Sequence, residues 1–298
     1  MISKALWLAL FFISSAGALA HSHHSHAPAT ASTIDPVDRL VDLAHRAQSR
    51  HDFDHALALL DKALAQRPVN DNAWLLAASI HLVKGDAPSA RHACQRLRQV
   101  PALVSITCRA QVAIAMGDAD RASRQLTAVL ENAKSSAARD DWLAWAYSVA
   151  GDAMRDRDDA QSKRHYRQSL MLSDNPQVRA ALADVLLNND QTNEALRVLA
   201  GHADVSLALQ VRQLIAQRGL GQMTPTVAAQ LHKQFQRWIK ERNWEHVREM
   251  ARFYLDVQPD IEQARTLATI NIGIQRERED QRLVERTRAQ REEFAAVR

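Results

Sequence analysis

The sequence predicts an all-α chain in which helical hairpins repeat and stack into a solenoid, and three observations predict it. The first is a pair of small residues twelve positions apart, Ala44/Ala56, Ala78/Ala90, Ala110/Ala122 and Ala183/Ala195. The second is the step between successive pairs, 34 residues from Ala56 to Ala90 and 32 from Ala90 to Ala122. A period of that length built from helix–turn–helix units marks a stack of helical repeats. The third is composition: eight Gly, eight Pro and three Tyr in 298 residues, with 46% apolar residues, suit helices and argue against a β-rich chain. Basic and acidic residues nearly balance, 38 against 34, so no polyanion-binding surface and no nucleic-acid role is expected.

At the front, residues 1–20 place Lys4 before an apolar run from Ala5 to Ile13 and end on Ala18-Leu19-Ala20. A charged start, a short apolar core and a small-x-small end form the pattern of a secretory signal peptide. The run is shorter than the ~20 apolar residues that span a bilayer. The expectation is therefore an exported protein, in the periplasm, with no membrane span in the mature chain. Cleavage after Ala20 would leave HSHHSH at the head of a leader, residues 21–35, that continues in Ala, Thr, Ser and Pro. Its imidazoles, His21, His23, His24 and His26, are of the ligand type that takes Cu, Ni or Zn. With His21 as the new N-terminus, the α-amine, two backbone amides and the His23 ring could enclose a square-planar Cu(II) or Ni(II) ion. The same tract also reads as a polar spacer that holds no metal.

The repeats follow in residues 36–202. Asp35-Pro36 suits a helix start, with Asp as the cap and Pro in the first turn. Leu40, Leu43, Ala44 and Ala47 share one face, as do Ala56, Leu57, Leu60, Ala63 and Leu64, and Pro68 stops the second helix. A second unit carries Trp74 and a Gly85-Asp86 turn; the third repeats GDADRA at 117–122 against GDAPSA at 85–90. The fourth, 139–174, holds Trp142, Trp145, Tyr147 and Tyr166, and puts Ser162 twelve after Ala150 where an alanine is expected. The fifth opens on Asn175-Pro176. Residues 203–275 give two degenerate pairs, 205–218 with 226–240 and 243–258 with 261–275, for about seven in all. Residues 276–298 alternate in charge, with Arg282/Glu285, Glu285/Arg288 and Arg288/Glu292 at helical spacing, and predict a solvated helix that caps the last repeat.

In the unit 37–70, Ala44, Ala56, Ala63 and Pro68 at the eighth, twentieth, twenty-seventh and thirty-second places resemble a tetratricopeptide repeat. Trp74 and Gly85 add the family's fourth and fifteenth places in the next unit. The resemblance extends over about four-fifths of the chain. It implies a right-handed superhelix whose concave groove, lined by the first helix of each unit, binds an extended peptide or helix of a partner. Carried onto this chain, the groove holds Val41 and His45, then Leu75, Ser79 and Leu82, then Gln111, Tyr147 and Asp184. Members that clamp a C-terminal carboxylate have Lys, Arg and Asn at these places, and this chain does not. The lining suits a neutral, partly apolar segment of an envelope protein or peptide. Its apolar members also suit plain packing between units, and the sequence does not separate the two.

Cys94 and Cys108 lie symmetrically about Pro101, in the turn between the second and third units, on otherwise apolar faces. Residues equidistant from a hairpin turn sit at the same height, so a Cys94–Cys108 disulfide is expected, against two buried free thiols. His51 and His55, four apart with His45 upstream, are weighed as metal ligands and read better as exposed turn residues. The chain has no CxxC, HExxH, GxSxG or phosphate-loop motif, so no enzyme activity and no required cofactor is expected.

Overall fold

The computed structural model describes residues 35–133, 139–202, 206–223 and 225–296. The expected signal peptide and the leader histidines His21, His23, His24 and His26 lie outside them. Among the described residues there are fifteen α-helices and no strand. Fourteen of them pair into seven hairpins: α1 (Pro36–Ser49) with α2 (Phe53–Gln66), α3 (Asp71–Val83) with α4 (Ala87–Gln95), and α5 (Ala102–Ala115) with α6 (Ala119–Ala133). Next come α7 (Asp140–Met154) with α8 (Asp159–Leu172), and α9 (Pro176–Asn188) with α10 (Thr192–Leu199). Then α11 (Leu207–Gly219) pairs with α12 (Pro225–Glu241), and α13 (Val247–Arg252), extended by a π-turn over Phe253–Val257, pairs with α14 (Ile261–Ile274). A last helix, α15 (Arg278–Ala296), follows. The chain is an all-α solenoid of helical hairpins.

Local chemistry sets the helix starts. Asp35 Oδ1 accepts from the Val37 N–H at 2.8 Å, Asn70 Oδ1 from Ala73 at 3.0 Å, and Asp86 Oδ1 from Ser89 at 3.0 Å. Each satisfies an amide that the first helical turn leaves without a partner. The eight paired alanines are all buried, none more than 2% exposed. They mark where the two helices of a hairpin cross closely, and a larger side chain would force them apart.

The turn inside each hairpin explains the recurring Gly-Asp. Gly85, Gly117 and Gly221 have positive φ, and so do His51 and Asp190 at the same place in hairpins without a glycine. The next N–H then returns to the carbonyl five residues earlier: Asp52 to Ala47, Asp86 to His81, Asp118 to Ala113 and Gln191 to Leu186, at 2.7–3.0 Å. This is the Schellman closure of a helix end. The fourth hairpin departs from it. The Arg157 and Asp158 N–H groups both return to the Met154 carbonyl, at 2.9 and 2.8 Å, and no residue of 155–158 has positive φ. Its helix contact is also different: Ser162 is buried and its Oγ donates to the Gly151 carbonyl at 2.9 Å. A Cβ on Gly151 would stand 2.5 Å from the Tyr166 ring, so glycine is what lets that ring lie flat on α7.

Cys94 and Cys108 are bonded, with their Cα atoms 5.7 Å apart, and tie α4 to α5. Closing a loop of that size stabilises by about 3 kcal/mol in the chain-entropy account.

The last helix is more than a solvated cap. Asp280, Leu283 and Thr287 are buried along one stripe, because α15 lays that face on α13 and α14. Arg282 pairs with Glu279 and across the fold with Asp156 rather than with Glu285, and Arg286 pairs with Asp256. The end of the chain also returns to its beginning. Ile274 packs against both the core of the first four hairpins and the core of the last two. The Arg276 N–H donates to the Val83 carbonyl at 2.7 Å, and a Cβ on Gly85 would meet the Arg276 Cβ at 2.9 Å.

Candidate protein-binding groove

The face that the sequence assigns to binding is the row of first helices, α1, α3, α5, α7, α9, α11 and α13. In the first three hairpins the side chains assigned to it carry no fixed charge. His45, Ser79, Leu82 and Gln111 are half-buried there, and the Gln48 amide donates to Ser79 Oγ at 3.4 Å across neighbouring hairpins. Tyr147, on α7, is also half-buried and stacks on His165 with ring centres 6.1 Å apart. These five keep surface that another chain could cover. Val41 and Leu75 do not: each is 5% exposed and sits in the core, so packing between units accounts for both.

From the fourth hairpin on, the inner face turns ionic. Asp184, on α9, lies 4% exposed at the centre. Arg212 from α11 grips it with two hydrogen bonds, Nε to Oδ1 at 2.9 Å and Nη2 to Oδ2 at 2.7 Å. Arg252 from α13 reaches Oδ1 at 2.7 Å, and Arg155, just past α7, reaches Oδ2 at 3.5 Å. Burial alone would raise the Asp184 pKa, but the guanidinia of Arg212, Arg252 and Arg155 outweigh it and hold the carboxyl well below the usual range. Arg155 then passes the charge on to Glu279 of α15 at 2.6 Å. Asp184 thus sits on the first helix of its hairpin with both oxygens already occupied.

Two further clusters support this one. Tyr166 OH donates to Asp152 Oδ1 at 2.6 Å, and burial, opposed by that bond and by Arg155, pushes the Asp152 carboxyl up to about 6. On the other side Arg248 binds Asp280 Oδ1 and Glu277 Oε2, each at 2.6 Å, while the Asn271 amide donates to Asp280 at 2.6 Å. Asp280 is fully buried, so this cluster fixes the start of α15.

The histidines considered as ligands are scattered. His55 is exposed, whereas His51 is half-buried with both ring nitrogens enclosed and unpartnered, and its expected exposure is corrected accordingly. Burial, then the nearby Arg248 charge, hold its pKa below the ordinary value. The cause is closure of the fold, which brings Arg248, Glu249 and Glu245 to the turn after α1. Among the described residues no group of three His, Cys, Asp or Glu could hold a metal ion.

The arginines around Asp184 are functional neighbours that motif reasoning passes over. A usable signal exists: Arg212 lies between Val211 and Leu214 on a face that must be buried, and a buried cation requires an anion.

Residues 47–101 match the family model for the tetratricopeptide repeat. None of the curated proteins matches this sequence. Among solved structures, a tetratricopeptide repeat protein from Parabacteroides merdae is similar with a TM-score of 0.46 at 13% identity, over 84% of this chain and 98% of that one. Yeast Tom70 gives 0.43 at 13% identity, over 97% of this chain and 69% of that one.

Removing the Asp184 carboxylate leaves three arginines facing one another in a dry site. Asp184→Ala is expected to lower unfolding free energy by about 3–5 kcal/mol in urea titration; a change within about 0.5 kcal/mol would contradict the role given to it. The raised Asp152 has the opposite linkage. Its folded state holds a proton between the ordinary value of 3.8 and about 6, so its contribution to stability rises as pH falls through that window. Half-buried His45, His81 and His165, whose values partial burial depresses, pull the other way below about pH 6.5. The difference between wild type and Asp152→Asn isolates the carboxyl. Their melting temperatures should diverge between pH 4 and pH 7, with the wild type losing relative ground as pH rises, and a constant gap would refute the assignment.

Proposed function

We propose that this chain is a tetratricopeptide-repeat protein, as the match over residues 47–101 supports, and an exported, non-enzymatic scaffold that binds a segment of another envelope protein along its first helices. The observation that carries this is the set of uncharged side chains on the first helices of the first three hairpins, continued by Tyr147 of the fourth. His45, Ser79, Leu82, Gln111 and Tyr147 lie half-buried on successive inner helices, offering amide, hydroxyl, aliphatic and aromatic surface with no fixed charge. Such a lining favours a neutral, partly apolar segment with one or two large side chains as anchors. Export is supported by the pattern of residues 1–20 and by the Cys94–Cys108 disulfide, which persists in an oxidising compartment. Among the described residues no helix is long and apolar enough to cross a membrane.

A second reading rests on the sequence HSHHSH at residues 21–26: a protein that handles Cu, Ni or Zn through His21, His23, His24 and His26 and uses the repeats to dock a transporter or metalloenzyme.

Photo-crosslinking residues at positions 82, 111 and 147 test the first reading, with exposed positions 128 and 171 on second helices as controls. In intact cells the inner positions should give a discrete adduct and the controls none. Adducts from the controls alone would overturn it. Calorimetric titration of Cu(II), Ni(II) and Zn(II) into exported, N-terminally sequenced protein tests the second. Tight one-to-one binding that vanishes on deleting residues 21–26 is its expected result, and weak binding, or binding that survives the deletion, contradicts it.

A further inference from the structure

Among the first six hairpins the fourth is the one whose turn lacks the left-handed closure, and it is also where the start of α15 lands. That coincidence is informative. In hairpins two and three the turn folds back beneath a glycine; in the fourth it does not, and the side chains of Arg155 and Asp156 there pair with α15. Asp156 pairs with both Arg278 and Arg282 of α15, and Arg155 binds Glu279 between them. The three α15 side chains occupy successive places on one helical face, cation, anion, cation, against an anion and a cation on the turn. Their registers are complementary. A second contact lies at the other end of the inner face, where the Arg276 N–H reaches the Val83 carbonyl beside Gly85. Gly117, in the equivalent place one hairpin on, has nothing within 4 Å of where a Cβ would be, so the contact is specific to the second hairpin.

We propose that residues 276–282 are a clasp that closes the solenoid on itself and gates the inner face. The last hairpin and α15 form one rigid arm, held together by the Arg248–Asp280–Asn271 cluster. The arm meets the second hairpin at Val83, the fourth at Arg155 and Asp156, the fifth through Arg252 and Asp184, and the turn of the first near His51, and the clasp would cover the uncharged residues between those turns. The clasp is built to open. Asp156 and Arg278 keep 37% and 47% of their side-chain surface in water, so the Asp156 pairs are individually weak and screened by salt, while Arg155–Glu279, at 9% and 36%, is the firmer part of the clasp. The anchoring of the arm to its own hairpin is buried and strong by comparison. A partner that enters the groove therefore has to displace the clasp, and the binding-competent open form is the minor one.

The gate rests on the groove reading for its consequence but not for its test, which needs no partner. The mature chain has no free thiol while Cys94 and Cys108 are bonded, so a cysteine introduced by Leu82→Cys, one residue from Val83, is a single reporter of access. Its maleimide labelling rate is measured in the otherwise native chain, in Asp156→Arg, and in the charge swap Asp156→Arg with Arg278→Asp and Arg282→Asp. Asp156→Arg sets three cations together and should speed labelling roughly tenfold. The swap should return the rate to within about twofold of native, which a merely misfolded variant would not do. Equal rates in all three, or acceleration that the swap does not reverse, would overturn the clasp. Crosslinks that stay off positions 82, 111 and 147 even in Asp156→Arg would instead sink the groove as the binding face, with closure still read directly from the labelling.

Discussion

One carboxylate sets how tightly this chain can curl. Asp184 accepts from arginines of three hairpins other than its own, the fourth, sixth and seventh. Three guanidinia converge on two oxygens only if the inner helices of four hairpins approach a common point. Desolvating these groups is expensive, and the geometry repays it through a bidentate Arg212 and two further contacts that leave neither oxygen free. The result is a solenoid with two kinds of inner wall. Hairpins one to three present neutral side chains with surface to spare, and hairpins four to seven are filled by their own ions.

That division changes what a tetratricopeptide-like groove means here. An open superhelix exposes its whole inner face to a ligand. In this chain the ionic half is already occupied, and the returning C-terminal arm meets the second hairpin at Val83 and Gly85. The chemistry of binding would then be burial of a neutral segment, with the exposed ion pairs of Asp156 deciding when it is accessible.

Periodicity made the fold legible in the sequence. The twelve-residue alanine pairs are the helix crossings, and the GDA motif is the left-handed turn with its cap, so both translate directly into backbone geometry. The first hairpin shows why the motif alone undercounts: His51 adopts the same backbone as Gly85 at some strain, and Asp52 supplies the same return bond. Closure was not legible. Arg155 and Glu279 are 124 residues apart, and nothing in local spacing joins them. The alternating charges of 276–298 were read as pairs within one helix, because i,i+3 and i,i+4 rules see only one helix at a time. The clue that the fourth unit is irregular, Ser162 in place of alanine, was visible. Its meaning, a turn rebuilt to receive α15, needs the fold.

The central claim is that the last hairpin closes back on the second, and the backbone amide of Arg276 reports it most directly. Arg276 is exposed and lies between two helices, and its N–H is held by the Val83 carbonyl, 193 positions earlier in the chain. Hydrogen exchange of that amide in the native protein separates the alternatives. Closure predicts that it is protected at least about a hundredfold relative to an open loop, and that Asp156→Arg removes most of the protection. Exchange at the rate of an unstructured linker in the native chain would contradict closure.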